Sequence, residues 1–151
     1  EGLASVGMHY SVICTEDRPF FEPDHIDEVT RGTFLGRELV DETIRVCDRW
    51  PRGDVPPSFR DPVASDVPVL LLSGELDPVT PPRWADDAGR TLSKSVHVVV
   101  PATGHGTLGS ACIRKLTAQF IAAGTVEGLD TECDADARRP PFFTTFAGPP
   151  P

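Results

Sequence analysis

No apolar run in the 151 residues approaches the ~18 that a membrane-crossing helix needs, so no membrane span is expected. Positive charge is scarce: 14 Lys and Arg stand against 23 Asp and Glu, for a formal net charge of −9. Such a surface repels phosphate, which makes nucleic acid a poor partner. Zinc-ligand spacing is missing too, because Cys14, Cys47, Cys112 and Cys133 form no C-x-x-C and the histidines are not placed around them. No metal site is expected, and nothing calls for an organic cofactor. Neither an initiator Met nor a charged-then-apolar leader stands at Glu1, so no signal peptide is visible and the chain reads as a processed or truncated piece. Hydrophobic residues are only 39%, lean for a compact domain, while proline reaches 16; this is a globular composition with many loops.

An even number of cysteines without metal spacing favours two disulfides, and hence an extracytoplasmic protein. At this point the pairing stays open.

Met8, Tyr10 and Val12 alternate with polar residues, which predicts a strand or extended segment. Asp24 is the expected cap of a helix starting near His25. Leu39, Val40, Thr43, Ile44 and Cys47 recur at helical spacing, so a helix is expected up to about Asp48, ended by Trp50-Pro51. Residues 52–66 carry three prolines and read as an irregular connection. Then the pattern changes. Val67 to Ser73 is nearly all apolar, the mark of a strand buried on both faces. Thr80 is expected to cap a helix with Pro81 and Pro82 in its first turn and Trp84, Ala85, Ala88 and Leu92 on one face. Val96 to Val100 predicts a second buried strand, interrupted only by His97. Ser110 to Ala123 predicts a second helix, with Ile113, Leu116, Phe120 and Ile121 on one side. Strand, helix, strand, helix with short loops means a parallel pair. The tail from 134 is polar, then proline-rich, and is expected to be extended. Two doubly apolar strands cannot cover their own edges, so the chain is expected to be the C-terminal part of a larger α/β protein.

The chemistry lies in two loops. Asp77, in G-E-L-D-P-V-T-P, follows the first strand; His105, in G-H-G, follows the second, 28 residues later. Loops after parallel strands emerge at one sheet edge, so the two side chains can meet. A carboxylate on one ring nitrogen fixes the imidazole tautomer and frees the other to take a proton. Alone, Asp77 is as readily a helix cap and His105 a loop histidine. Their order, each after a buried strand, shifts the balance towards an acid–base pair.

L-L-L-S-G-E-L-D-P-V-T-P-P, the G-H-G after it, and Cys112 just beyond resemble the C-terminal region of α/β-hydrolases. The resemblance is to the tripeptidyl-aminopeptidase-like branch of the prolyl aminopeptidase family of serine peptidases. It runs from about Gly7 to Cys133, and Cys14-Thr-Glu-Asp and Cys47-Asp-Arg-Trp-Pro resemble the end of that family's helical cap. The resemblance implies that Asp77 is the triad acid and His105 the base. It implies a Cys112–Cys133 pair, and makes Glu16 a candidate for binding a substrate's free amino terminus. Cys14 is then expected to pair with Cys47. Glu75, so close to Asp77, is either a group that supports the pair from behind or a solvent-facing acid, and the latter is the expectation. The G-x-S-x-G nucleophile elbow is absent from the sequence. Ser5, in Leu3-Ala-Ser-Val-Gly7, is its nearest imitation, but Leu replaces the first Gly and no strand precedes it, so it is rejected as nucleophile.

The expected architecture is thus α/β: residues 1–66 the end of a cap and its connection, 67–133 the C-terminal hydrolase segment, 134–151 the tail. The expected function is a serine exopeptidase of the aminopeptidase type. Its partners are a peptide substrate and the missing N-terminal part of the same hydrolase, and the chain alone is expected to be inactive. An ester hydrolase of the same fold and a non-catalytic binding module derived from it are the alternatives.

Overall fold

A computed structural model describes residues 5–132, 138 and 146. The chain divides into two compact units between Asp61 and Pro62. Among the described residues no helix is long and apolar enough to cross a membrane.

The first unit is helical. Helix α1 (Val6–Val12) replaces the strand expected there. Ser5 decides this locally: its hydroxyl accepts the Met8 N–H at 3.4 Å and its carbonyl the His9 N–H at 2.9 Å. The alternation of Met8 and Val12 has no buried face behind it, since both are exposed. A π-helical turn (Ile13–Asp17) follows. Helix α2 (Pro23–Thr30) starts earlier than expected, with Pro23 as its first residue. Asp24 therefore sits in the first turn, beside the positive end of the helix dipole, and is not the cap. Helix α3 (Glu38–Cys47) lies where the spacing placed it. Cys14 and Cys47, both fully buried, form a disulfide with Cα atoms 5.0 Å apart, as expected. Trp50 Nε1 donates to Ser11 Oγ at 3.2 Å, and the Arg60 guanidinium lies 4.0 Å over the Phe20 ring. No described cysteine is free; the expected Cys112–Cys133 pairing lies outside the described residues because Cys133 does. So does the expected extended tail, 134–151, apart from residues 138 and 146.

In the second unit, β1 (Val69–Gly74) and β2 (Ser95–Val100) pair in parallel, from Val69 opposite Ser95 to Gly74 opposite Val100. Helix α4 (Pro82–Gly89) connects them and α5 (Ala111–Ala123) follows β2. The period-2 rule splits the strands between the helices. Val98 and Val100 pack with Ile113 and Leu116 of α5 in the core, joined by Leu70 and Leu72. Leu71, on the other face, packs close to Gly89 of α4.

Some expectations fail here. Thr80 does not cap α4, which begins at Pro82 without a side-chain cap. Trp84 is 53% exposed and Leu92 lies beyond the helix, so the expected apolar face does not form in an eight-residue helix. Ile121 of α5 is exposed as well. Leu70 to Leu72 are half-buried, because a two-stranded sheet leaves strand edges uncovered.

Candidate active site

Strand β1 ends at Gly74 and β2 at Val100, directly opposite each other. The loops that follow are stitched together by their backbones. The Glu75 N–H donates to the Val100 carbonyl at 3.0 Å and the Leu76 N–H to the Thr103 carbonyl at 2.9 Å. Gly74 is glycine for a steric reason: a Cβ there would stand 2.2 Å from the Gly104 oxygen and 2.5 Å from that of Thr103. The sheet edge thus admits the His105 loop only over a residue without a side chain.

Asp77 and His105 meet on this platform. His105 Nδ1 lies 2.9 Å from Asp77 Oδ2. The Asp77 side chain is 4% exposed and that of His105 60% exposed. The two carboxylate oxygens have separate tasks. Oδ1 accepts the N–H groups of Val79 at 2.8 Å and Thr80 at 3.0 Å. Oδ2 accepts the Thr80 hydroxyl at 2.7 Å as well as His105. Asp77 therefore organises its own turn and holds the imidazole at the same time. Burial raises the Asp77 pKa, but the Thr80 hydroxyl, the Thr80 N–H, the His105 ring and the Val79 N–H outweigh it and hold the carboxyl well below its usual range.

An ionised Asp77 offers only acceptors, so the tautomer follows: Nδ1 carries the proton, donates it to Oδ2, and has the Thr80 oxygen 3.3 Å away. Nε2 is then the lone-pair nitrogen of the neutral ring. Among the described residues no hydrogen bond occupies it. Gly106, at φ 121°, occupies backbone space that L side chains avoid, and with Gly104 it frees the chain on both sides of the imidazole.

The other sequence candidates fall elsewhere. Glu16 belongs to the first unit, half-buried in the turn Ile13–Asp17, where its carbonyl accepts from Arg60 Nη2 at 3.4 Å. Ser5 is the cap of α1 and exposed. Glu75 is exposed, yet its Oε2 accepts the Ala102 N–H at 2.8 Å, so it is more than a solvated acid.

A Ser–His–Asp series lies in the same unit, apart from the Asp77–His105 pair. Ser73 Oγ is 2.9 Å from His97 Nε2, and His97 Nδ1 is 2.8 Å from Asp86 Oδ1. Ser73 and His97 share the sheet face that meets α4. Ser73 is only 6% exposed, set in a strand, so a substrate carbonyl has no approach to it. The series ties α4 to both strands.

A family model described as TAP-like protein matches residues 32–133, a stretch that holds both loops of the dyad. Neither a curated protein nor a solved structure matches the chain. With two thirds of its length matched by that model, the chain belongs to the TAP-like protein family of α/β-hydrolases.

Proposed function

We propose that Asp77 and His105 are the acid and base of a serine hydrolase. The observation that carries this is the 2.9 Å contact of Asp77 Oδ2 with His105 Nδ1, between loops that leave neighbouring parallel strands at the same end. In this reading a serine outside this sequence attacks the scissile carbonyl. His105 Nε2 takes the hydroxyl proton as the Oγ–C bond forms, then delivers it to the leaving amine as the scissile C–N bond breaks. Water repeats the cycle on the acyl-enzyme. Asp77 holds the imidazolium in place and stays ionised throughout.

The substrate we propose is a peptide cleaved near its free amino terminus, with the Glu16 carboxylate as the partner of that ammonium group. Residues 1–66 then serve as the end of the cap and 67–133 as the catalytic segment. The buried Cys14–Cys47 disulfide supports an extracytoplasmic setting. The absence of G-x-S-x-G from the sequence and the two-stranded sheet support a nucleophile supplied by another portion of the hydrolase.

The test uses the complete gene product. It should cleave tripeptidyl chromogenic amides with a free amino terminus, lose several orders of magnitude on His105→Ala, and turn over N-acetylated analogues poorly. The isolated 151-residue chain should turn over nothing. Cleavage of nitrophenyl esters with no amide cleavage moves the assignment to an esterase. Full activity of His105→Ala, or the absence of any G-x-S-x-G in the complete gene, ends the triad reading.

A further inference from the structure

The acid–base pair leaves one side chain and one backbone conformation beside it unexplained. Ala102 has φ 54°, the one non-glycine with positive φ among the described residues. L side chains avoid that region because Cβ crowds the following carbonyl. The exposed Glu75 uses its carboxylate at that residue, accepting the Ala102 N–H at 2.8 Å. A charged acceptor makes the stronger kind of hydrogen bond.

We propose that Glu75 is a positioning residue. It holds the left-handed turn at Ala102 with which the base's loop begins, and so keeps His105 Nδ1 on Asp77 Oδ2. The proposal rests on the reading above only in calling His105 a base. Its mechanical content is independent of that. His105 stands between two glycines, so its loop has little stiffness of its own. Downstream, Arg114 Nη1 donates to the Leu108 and Gly109 carbonyls at 2.8 and 2.7 Å, and upstream four anchors hold the loop's entry. Three of those are backbone: the Glu75 N–H on Val100, the Leu76 N–H on Thr103, and the close seat of Thr103 and Gly104 over Gly74. The fourth, at Ala102, is the Glu75 side chain, and it acts where the chain is strained, beside the Thr103 hydroxyl that donates to the Pro101 carbonyl at 3.0 Å across the same residue. Because Glu75 also opens the acid loop, one residue sets the spacing between both halves of the dyad.

The test reads the His105 ring in the 151-residue chain by nitrogen-15 NMR, with hydrogen exchange at Ala102. The parent should show a proton on Nδ1 and a protected Ala102 N–H. Glu75→Gln, whose amide oxygen can accept the same bond, should keep both. Glu75→Ala should lose the single Nδ1–H tautomer and speed Ala102 exchange by about tenfold or more. Glu75→Asp, charged but one methylene too short, should behave like the alanine variant, and it reads the same contact should Glu75→Ala fail to fold. Ala102→Gly added to Glu75→Ala should restore the tautomer, since glycine adopts this φ without strain. Ring signals indifferent to both Glu75→Ala and Glu75→Asp overturn the proposal, as does a Gln variant that behaves like Ala. A complete hydrolase indifferent to His105→Ala refutes the catalytic reading instead, and leaves this coupling where it is.

Discussion

Replacing Asp77 by Asn tests the dyad with almost no change in shape. The structure dictates how the amide must turn. The Val79 and Thr80 N–H groups, at 2.8 and 3.0 Å from Oδ1, both donate, so the Asn oxygen must face them. Its NH₂ then occupies the Oδ2 position, 2.7 Å from the Thr80 hydroxyl and 2.9 Å from His105 Nδ1. The hydroxyl can rotate and accept. The ring can accept only by giving up its Nδ1 proton, which moves to Nε2. The turn survives, and the nitrogen that should abstract a proton now carries one. In a triad, holding the wrong tautomer costs on the order of 10⁴-fold in kcat. Two measurements check this. Nitrogen-15 spectra of Asp77→Asn in the 151-residue chain should show the pyridine-type signal moved from Nε2 to Nδ1. The complete hydrolase should lose about 10⁴ in kcat with KM little changed. An unchanged tautomer, or a loss below about tenfold, would refute the reasoning.

Three further outcomes follow from the same geometry. Gly74→Ala drives a methyl into the backbone oxygens of Gly104 and Thr103, at 2.2 and 2.5 Å; rigid neighbours put the cost at about 3 kcal/mol, the upper end for overpacking, read as a lower urea midpoint together with loss of the His105 Nδ1–H signal. Removing the disulfide by Cys14→Ala with Cys47→Ala opens a closure across 33 residues and should cost the first unit about 3–4 kcal/mol. Trp50 fluorescence in a Trp84→Phe background follows it, and a loss under about 1 kcal/mol contradicts the chain-entropy account. Acid should act through Asp77, whose folded pKa is depressed. Its contribution to stability is complete above the unfolded value of about 3.9 and is lost as pH falls from there towards the lower folded value. Asp77→Asn should therefore flatten the decline in stability below about pH 4, and equal slopes for the two proteins would count against the ionised, hydrogen-bonded Asp77.

What the sequence revealed of the fold followed the strength of the periodic signal. The runs at residues 69–72 and 96–100 are unbroken but for His97, and both are strands within two residues of the expected start. α3 and α5 carried regular apolar spacing and lie where expected. The misses are short segments decided by a single contact. In α1 three alternating apolar residues predict an extended segment, yet the cap at Ser5 outweighs an alternation with nothing buried behind it. The place of Thr80 before two prolines predicts a cap, but the ionised Asp77 three residues earlier is a stronger partner for its hydroxyl.

The site was legible in its two principal residues and illegible in what surrounds them, for a common reason. Residues that follow buried parallel strands must come out at one edge, so Asp77 and His105 could be brought together by topology alone. Hydrogen bonds to loop backbone carry no such period. Nothing in the spacing announces that Glu75 reaches Ala102, because that contact depends on the left-handed turn there, which a non-glycine residue does not advertise. The His97 series is intermediate. Ser73 and His97 are polar interruptions of two apolar strands, and strand parity with the parallel register puts them on one face. A polar pair on a covered face must satisfy itself, and Asp86 of the covering helix completes it. An Asp–His pair therefore occurs twice within one small unit, and only the His97 series adds a serine to it. Exposure separates the two series: His105 presents its ring to solvent while Ser73 is sealed in a strand. The sealed series holds the helix that follows the Asp77 loop, and the open pair is the one to which the proposed reading gives the chemistry.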